Sequence, residues 1–479
     1  MAKSIGELLV QEDILSPEQL DEAIALQRRA GGRLANAIIS LGYLTREQLH
    51  QFLYPAPPIP LKIADTGLTD VYLVDLLLKA AYLEAGTFTL QRMANVLSLP
   101  FSIIEELIEL IRVDNLAAIR TSSSYTSTTQ VLELTQRGRE RAEAAFNISL
   151  YVGAAPVPLE DYSFMLTRQS VRQVELDKEW IDSSLKHLVI GDKLLSQLGP
   201  AFSSGRSIFL YGPPGTGKTS IAEALGRGIP GEIYLPQAIE AGGQVIRFFD
   251  PSIHTPVEDK KTAEDCSLDL KMSLTYDPRW KKCYRPVVMV GGELTLDMLE
   301  LRYDYASKFY EAPIHMKAGN GVFILDDFGR QRIEPRQLLN RWIIPLERGI
   351  DFPSLHTGMK FEIPFDQITV FSTNLNPLDL VDDAFLRRIR HKIHVQYQTE
   401  TEFKEILRRI CQKQGVHYDS DVTDYLLNNH YRKQNRPLVG SHPRDLMEHI
   451  IDHAHFLNQP PEFTKVSIDS AAANYFVEL

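Results

Sequence analysis

The sequence predicts an α/β fold, with a small all-α module in front of it and a helical domain behind it. Three short apolar runs, ending close to Gly212, Asp326 and Asn374, are each long enough for one buried strand. The first run leads into a glycine-rich turn and then into apolar residues at helical spacing, which is the strand–loop–helix unit of a parallel sheet. After Tyr397 the apolar residues recur mainly at helical spacing, so a helical domain is expected at the end.

The composition is typical of a globular protein with several domains. A chain of 479 residues is too long for one ordinary core, and about two to four domains are expected. The formal net charge of −11 disfavours a nonspecific nucleic-acid binder. Three cysteines without a C-x-x-C pair indicate free thiols in a reducing compartment. There is no apolar run of about eighteen residues and no apolar signal core, so we expect a cytoplasmic protein without membrane insertion.

The first module, residues 1–54, is a tandem repeat. Leu34 stands 29 residues after Ile5, and the pattern around both residues is the same. Each copy predicts a short helix, a turn and a second helix. Ser16 and Thr45, each with a glutamine three residues later, are expected to cap the second helices. A unit this short cannot bury its own apolar face, so the two copies are expected to pack on each other.

A second module, residues 61–150, is expected after a proline-rich connector. Helical patterns cover residues 71–83, 89–97 and 102–112. Ser102 with Glu105 predicts a capping box for the third helix, and a Ser/Thr-rich stretch, a strand and a closing helix follow. This order is typical of a winged helix, which often reads DNA with its third helix. Here that helix carries three glutamates and one arginine, which disfavours contact with phosphates. A protein-docking winged helix is therefore favoured over a DNA reader.

The strongest motif is a phosphate-binding P-loop. Its pattern, G-x-x-x-x-G-K-[ST], is filled by Gly212, Pro213, Pro214, Gly215, Thr216, Gly217, Lys218 and Thr219, with Ser220 continuing into the helix. The glycines allow a tight turn whose N–H groups point at a triphosphate, and the helix N-terminus adds its positive dipole end. We expect Lys218 to reach the β- and γ-phosphates of ATP, and Thr219 to place its hydroxyl on Mg²⁺.

Two further apolar runs end in polar residues that suit the same chemistry. Asp326 and Asp327 stand at the C-terminal end of a predicted strand, where open parallel sheets bind ligands. Asp326 is expected to hold Mg²⁺, and Asp327 to polarise the attacking water. Asn374 ends the next run and is expected to orient that water or to sense the γ-phosphate. Upstream, Ile190 is a candidate for an adenine pocket or for ordinary core packing.

From about residue 185 to the end, this order of motifs resembles the AAA+ ATPases. The resemblance implies an α/β core over residues 160–396 and a helical lid over residues 397–479. It assigns a trans-acting arginine finger to Arg388, with Arg387 as the second choice, and a second sensor to Arg444. Because such a finger acts on ATP bound to a neighbouring copy, the resemblance implies a ring, with a hexamer as the expected form, that remodels or assembles a protein partner.

Two features of the core differ from the usual pattern. The family usually has Asp-Glu where this chain has Asp326 and Asp327, and the shorter side chain predicts slow turnover, with a nucleotide switch as the alternative. Asp326 stands 108 positions after Lys218, a gap that is long for the family and leaves room for an insertion. Within it, residues 317–321 resemble the helix-2-insert group, which includes magnesium chelatase, MoxR-type and sigma-54 activator ATPases. Such insertions often contact substrate, and a surface elaboration without that role is the alternative.

Residues 1–54 resemble the N-terminal domain of type II secretion and type IV pilus assembly ATPases. In some members this domain binds cyclic di-GMP through two copies of an R-L-G-x-x-L-V motif. The second copy here keeps Arg33 but has Ala35 for the glycine, and the first has Ser4 for the arginine and Asp13 for a later glycine. The resemblance implies a link to secretion or pilus machinery and cyclic di-GMP as a candidate ligand. A small docking module is the alternative.

Overall fold

The computed structural model describes residues 5–31, 34–45, 48–49, 52, 55–120, 131–258, 275–380 and 386–476. Its helices are α1 Ile5–Gln11, α2 Pro17–Ala30, α3 Leu34–Ser40, α4 Asp70–Leu83, α5 Leu90–Leu97, α6 Phe101–Val113, α7 Gln136–Ile148, α8 Leu159–Arg168, α9 Lys178–Leu185, α10 Asp192–Ser203, α11 Lys218–Arg227, α12 Ile314–Lys317, α13 Pro335–Arg348, α14 Pro377–Leu380, α15 Glu400–Lys413, α16 Ser420–Leu426, α17 His442–Phe456 and α18 Lys465–Tyr475. Its strands are β1 Thr87–Thr89, β2 Ala117–Ile119, β3 Val131–Leu134, β4 Val157–Pro158, β5 Ile208–Tyr211, β6 Glu232–Pro236, β7 Ala238–Ala241, β8 Gln244–Arg247, β9 Trp280–Tyr284, β10 Val287–Val290, β11 Arg302–Asp304, β12 Phe309–Glu311, β13 Val322–Leu325, β14 Ile350–Asp351, β15 Ile363–Pro364, β16 Ile368–Thr373 and β17 His391–His394.

Five parallel strands form the central sheet, in the order β10–β13–β16–β5–β17. Every neighbouring pair in it is parallel. The turns that follow the strands therefore all lie at one edge of the sheet. Strand β16 lies between the P-loop strand β5 and the acidic strand β13, an order that the sequence does not reveal. The α/β fold that the apolar runs predict is confirmed.

The three central strands of this sheet, β13, β16 and β5, are buried on both faces, as expected for a parallel sheet covered by helices. On one face Ile208 and Leu210 pack in a core that includes helix α11. On the other face Phe209 stacks on Phe371 with ring centroids 5.9 Å apart, and Trp342 of α13 meets the edge of Phe371 at 6.1 Å. The double burial explains why the strands read as continuous apolar runs without alternation, and it gives the following turns a rigid base.

Four strands from the segment between α11 and β13 join β4, which precedes β5 in the chain, in a second sheet with the mixed order β11–β12–β8–β7–β4. Strands β6 and β9 form a separate antiparallel pair. The segment that resembles the helix-2-insert group packs inward: Lys317 is 5% exposed and Asn320 is 0% exposed. The ammonium group of Lys317 pairs with Asp250 at 2.9 Å and also with Glu311. The charge of Lys317 is therefore satisfied inside the chain, and this segment does not face solvent.

The stretch around residues 150–160 does not form a free connector. Val157 of β4 pairs with Ile239 of β7, and Ala155 is buried in one core with Ala238 and Val245. The core of the second module therefore continues into the second sheet. The domain boundaries drawn from the sequence at 150 and 160 stay predictions.

The second module contains helices α4 to α7 and the antiparallel sheet β1–β3–β2. The capping box expected at Ser102 is wrong: α6 begins at Phe101, after Pro100, and no side chain caps it. Proline has its backbone already restrained near a helical φ angle, so it can precede a helix without a polar cap. Residues 121–130 of the Ser/Thr-rich stretch lie outside the described residues, and the winged-helix assignment stays a prediction.

In the N-terminal repeat, Ser16 forms the expected capping box with Gln19, and Thr45 exchanges the same two hydrogen bonds with Gln48. Both copies contribute to one core, which includes Leu9 from the first and Ile38 from the second. Asp13 has φ 55° and Gly42, 29 residues later, has φ 75°. The left-handed turn of the repeat is thus kept with an aspartate in the first copy, a residue that tolerates this conformation. Arg33 lies outside the described residues.

The C-terminal region is helical, as the sequence predicts, and α15 to α18 pack around a core of their own. A capping box of Thr399 and Glu402 begins α15, and α17 begins after Ser441. Among the described helices, none combines the length and the apolar character that crossing a membrane would require.

Candidate functional site

The P-loop connects β5 to α11, and three of its backbone positions favour glycine. Gly212, Gly215 and Gly217 have φ angles of 144°, 72° and 88°. A Cβ atom on Gly212 would lie 2.1 Å from the carbonyl oxygen of Val395, which follows strand β17. The glycines therefore serve two purposes, since they allow the turn and they allow it to lie against the neighbouring strand end.

The ammonium group of Lys218 lies at the centre of the site. It donates hydrogen bonds to the carbonyl oxygens of Gly212 and Pro213 at 2.9 and 2.7 Å, and to Oδ1 of Asn374 at 2.7 Å. Lys218 is 6% exposed. Burial lowers the pKa of this ammonium group, and the nearby carboxylates of Asp326 and Asp327 oppose that shift. The lysine is thus held in place at the mouth of the loop.

Thr219 and Asp326 meet as the sequence predicts. The hydroxyl of Thr219 lies 2.9 Å from both carboxylate oxygens of Asp326, although 107 residues separate them in the chain. Hydroxyl and carboxylate oxygens are hard ligands that suit Mg²⁺, which usually binds few protein groups and completes its shell with water and phosphate. No group of three or more His, Cys, Asp or Glu side chains suited to a metal occurs among the described residues. The donor set therefore fits a magnesium ion that shares its ligands with a nucleotide.

Asp327 follows β13 in a left-handed backbone conformation with φ 47°. Its Oδ1 accepts a hydrogen bond of 3.0 Å from the side-chain amide of Asn374. Two bonds brace this turn against β16: the N–H of Phe328 donates to the carbonyl of Ser372, and the hydroxyl of Thr373 donates to the carbonyl of Phe328. The carboxylate is thus held at the edge of the sheet, beside Lys218.

A cavity of about 430 Å³ opens next to these groups. Its polar end is lined by the loop from Gly215 to Ser220 and by Asp326, Asp327 and Asn374. Its other end is more apolar and is lined by His187, Leu188, Val189, Ile190, Ile406 and Ile410. Ile190 thus lines the cavity and also packs against the core, so it has contacts of both kinds that the sequence suggests. Pro214 is exposed and is not one of the described residues that line the cavity.

The C-terminal helical region, called the lid below, borders one side of the cavity with residues that sequence reasoning missed. Ser441, Gln398 and Arg409 line it. Arg409 donates to the carbonyl oxygens of Lys186 and Leu188 at 2.9 and 3.1 Å, so it ties α15 to the apolar end of the cavity. The spacing of Ile406 and Ile410, one helical turn apart, indicates that this face of α15 is buried, but it does not indicate which segment covers it.

The three arginines predicted from the resemblance lie in different places. Arg444, in the first turn of α17, lines the cavity and pairs with Asp445 at 3.2 Å. Arg387 is exposed, and Arg388 pairs with Glu347 of α13. Arg388 lines a different cavity. Of the three, only Arg444 is brought to the cavity of its own chain, and the finger assignment stays a prediction.

Comparisons with known proteins add little to this geometry. Residues 399–474 match a family model described as a domain of unknown function (DUF8689). No curated protein matches the sequence. Solved structures with some likeness include NtrX from Brucella abortus in complex with ADP, at 14% identity and TM-score 0.37, where the match covers 62% of this chain and 57% of NtrX.

Two Thermotoga maritima structures are similar to a comparable degree. A point mutant of RuvB matches at 12% identity and TM-score 0.31, over 63% of this chain and 71% of that one. Domain III of the replication initiation protein DnaA matches at 12% identity and TM-score 0.35, over 61% and 97%. At identities and TM-scores this low, the likeness determines neither the fold nor the activity of this chain.

Proposed function

We propose that this chain binds ATP in the cavity beside Lys218 and hydrolyses it, as an ATPase of the AAA+ type. One observation carries the proposal. Side chains from three separate stretches of sequence meet at one edge of the parallel sheet, and each has a role in phosphoryl transfer; they are Lys218, Thr219, Asp326, Asp327 and Asn374. A volume of about 430 Å³ and an apolar end suit a nucleotide, whose base is less polar than its phosphates.

The roles follow from the contacts. Lys218 would neutralise the phosphates, and the N–H groups of the loop would bind their oxygens. Thr219 and Asp326 would hold Mg²⁺, which when bound offsets negative charge on the phosphate oxygens. Asp327 would take the proton of a water as its oxygen attacks the γ-phosphorus and the bond to the ADP oxygen breaks. Asn374 would hold the carboxylate of Asp327 in position.

Binding and hydrolysis are tested with Lys218→Ala in the full chain. Titration calorimetry with ATP and Mg²⁺ and a phosphate-release assay should detect both activities in the wild type. The variant should bind ATP at least about tenfold more weakly, since it loses a charge-assisted contact. Lys193→Ala, an exposed lysine of α10, is the matched control and should bind as the wild type does. Equal affinity in the wild type and Lys218→Ala would refute the proposal.

The proposal extends to a ring of copies, with six as the expected number, in the cytoplasm. Arg387 and Arg388 stand outside the nucleotide cavity of their own chain, so a nucleotide that they contact would be bound to another copy. A comparison of Arg387→Ala with Arg388→Ala separates the two candidates for the finger. The finger variant should lower phosphate release while ATP affinity stays within about threefold. The buried, unpaired thiols of Cys283 and Cys411 suit a reducing compartment.

The partner of this ATPase is proposed to be a protein. Helix α6 exposes Glu105 and Glu109, and Arg112 pairs with Glu109 at 3.4 Å, so its outer face offers little positive charge to a phosphate backbone. A gel shift of the full chain with duplex DNA over a range of salt concentrations tests this point, and tight, salt-dependent binding would favour a DNA-associated regulator. The link to secretion or pilus machinery and the cyclic di-GMP ligand rest on the resemblance of residues 1–54, and calorimetric titration of cyclic di-GMP tests the latter.

A further inference from the structure

We propose a second anion site, at the edge of the parallel sheet opposite to the P-loop. There the guanidinium group of Arg206 and the side chains of Gln367 and Thr369 would bind a tetrahedral oxyanion of the phosphate class. Binding of free phosphate here does not rest on the ATPase proposal, because the site uses none of the residues that line the cavity beside Lys218. Binding of a nucleotide held by a second copy does rest on it.

The site is a small cavity of about 110 Å³ at the edge of the sheet where strands β5 and β16 begin. Since about 10–15 Å³ of such a cavity is enough to hold one water, this cavity has room for a tetrahedral oxyanion. Ser207, which precedes β5, and Gln367, which precedes β16, both line it. The P-loop follows the other end of β5. A strand of this length spans roughly 13 Å, so an anion here cannot be the phosphate that the P-loop of the same chain holds.

Two of the residues that line this cavity carry buried donors without a partner. Gln367 is 4% exposed and Thr369 is 1% exposed. The amide nitrogen of Gln367 and the hydroxyl of Thr369 make no hydrogen bond with any described residue. A buried donor without an acceptor is costly, and native proteins rarely leave one in that state. Both groups can donate, so a ligand that offers several acceptor oxygens would satisfy them together.

The charge of the cavity has the sign that an oxyanion requires. Four arginines and one glutamate line it, in a chain whose net charge is −11; they are Arg172, Arg206, Arg348, Arg388 and Glu347. Arg388 pairs with Glu347, and Arg172 lies 3.6 Å from Asp366. Burial lowers the pKa of Arg206, and the neighbouring guanidinium groups of Arg390 and Arg172 lower it further. Positive groups this close repel each other, and a bound oxyanion would remove that repulsion.

The C-terminal end of α13 also lines the cavity, and its carbonyl groups attract cations. That attraction accounts for a basic residue such as Arg348 in the last turn. It does not account for Gln367 and Thr369, because their donors make no hydrogen bond with these carbonyl groups or with any other described residue. The combination of buried donors and excess arginine therefore favours an anion over a purely structural role for the arginines.

The oxyanion has two sources with the same chemistry: free phosphate, or the terminal phosphate of a nucleotide on a second copy of the chain. Binding of free phosphate is tested in the variant Lys218→Ala, because this substitution weakens the P-loop as a competing phosphate site. Its thermal midpoint should be higher in sodium phosphate than in sodium chloride at equal ionic strength, because a ligand that binds the folded state stabilises it. Phosphate affinity, measured from the line width of its ³¹P resonance, should fall about tenfold in Arg206→Gln.

Thr369→Val keeps the shape of the side chain and removes its donor, so it should also weaken phosphate without unfolding the protein. Arg92→Gln, an exposed arginine of α5, is the matched control and should bind phosphate as before. Should free phosphate not bind, the second source remains: ATP-dependent self-association of the chain with an intact Lys218 should then be lost in Arg206→Gln and kept in Arg92→Gln. If neither phosphate binding nor self-association changes in Arg206→Gln or in Thr369→Val, the site does not exist.

Discussion

The side-chain amide of Asn374 donates a hydrogen bond to Oδ1 of Asp327, with 3.0 Å between the two atoms. The residues follow neighbouring strands, β16 and β13, and the bond joins the ends of those strands. The same side chain accepts a hydrogen bond from the ammonium group of Lys218 at 2.7 Å. Asn374 therefore links the proposed base to the lysine that would bind the phosphates.

The first prediction concerns Asp327 as the base. Asp327→Asn keeps the size of the side chain and its contact with Asn374, but it cannot take a proton from water. We expect phosphate release to fall by about 10²–10⁴-fold, while ATP affinity stays within about threefold. Single-turnover phosphate release and ATP titration measure the two effects. Unchanged hydrolysis would exclude Asp327 as the base.

A second prediction compares two glycines of the P-loop. A Cβ atom on Gly215 would lie 2.5 Å from Cγ1 of Val439 and 2.9 Å from Oγ of Ser441, whereas one on Gly217 would meet nothing within 4 Å. Both residues have positive φ angles, so each alanine costs about 1 kcal/mol of backbone strain. Gly215→Ala must also displace the lid.

We expect Gly215→Ala to lower the free energy of unfolding, in the absence of nucleotide, by about 1 kcal/mol more than Gly217→Ala does. Urea unfolding of both variants under the same conditions measures the difference. Equal losses would show that the lid does not rest on Gly215 in solution.

The third prediction concerns Arg168, which holds the N-terminal repeat on the core. Arg168 is 8% exposed, and it donates to the carbonyl of Phe52 at 2.7 Å and pairs with Glu12 at 3.0 Å. Its guanidinium carbon lies 4.1 Å from the centre of the Phe52 ring. Arg168→Ala should weaken docking of the repeat by about 1–3 kcal/mol, because a buried carbonyl and a carboxylate lose their donor.

Limited proteolysis measures this effect as faster release of the segment before residue 55. Arg29→Ala, at the exposed end of α2, is the control and should be cleaved at the wild-type rate. If Arg168→Ala and Arg29→Ala are cleaved alike, the docking depends on other contacts.

The fourth prediction concerns the pH dependence of the lid. Burial lowers the pKa of His442 from its usual 6.5 to about 4, while Asp445 opposes the shift and Arg436 adds to it. Its Nδ1 lies 3.0 Å from the hydroxyl of Tyr431. The folded state therefore holds His442 neutral, whereas the unfolded state takes up a proton as the pH falls below about 6.5.

Above pH 6.5 the protonation of His442 therefore takes nothing from the free energy of unfolding. As the pH falls from 6.5 towards 4, it lowers that free energy progressively. Since the residue is partly exposed, we expect a loss on the order of 1–2 kcal/mol. His442→Asn keeps an acceptor for Tyr431 but does not titrate, and should lose less stability between pH 7 and 4.5 than the wild type. Urea unfolding at both pH values measures this, and parallel losses in both proteins would contradict it.

Much of the candidate site could be predicted because its residues belong to local patterns. The P-loop is one continuous motif, and Asp326, Asp327 and Asn374 each directly follow an apolar run whose length marks a strand. Where the pattern was weaker, the prediction was less exact. The capping box at Ser102 was wrong because the helix begins at Phe101, after Pro100, which places Ser102 within its first turn. The lid residues Gln398, Arg409 and Ser441 were missed because nothing local relates them to the loop.

The sequence by itself determined the α/β class, the phosphate-binding turn and the identity of the polar groups at the strand ends. These properties follow from side-chain periodicity and from turn chemistry, which act over a few residues. Only the tertiary structure decided that β16 lies between β5 and β13, and therefore that Asn374 touches both Lys218 and Asp327. It also decided that four arginines gather beneath the sheet. Such neighbours are chosen by packing between distant segments, and no local pattern encodes which strands become adjacent.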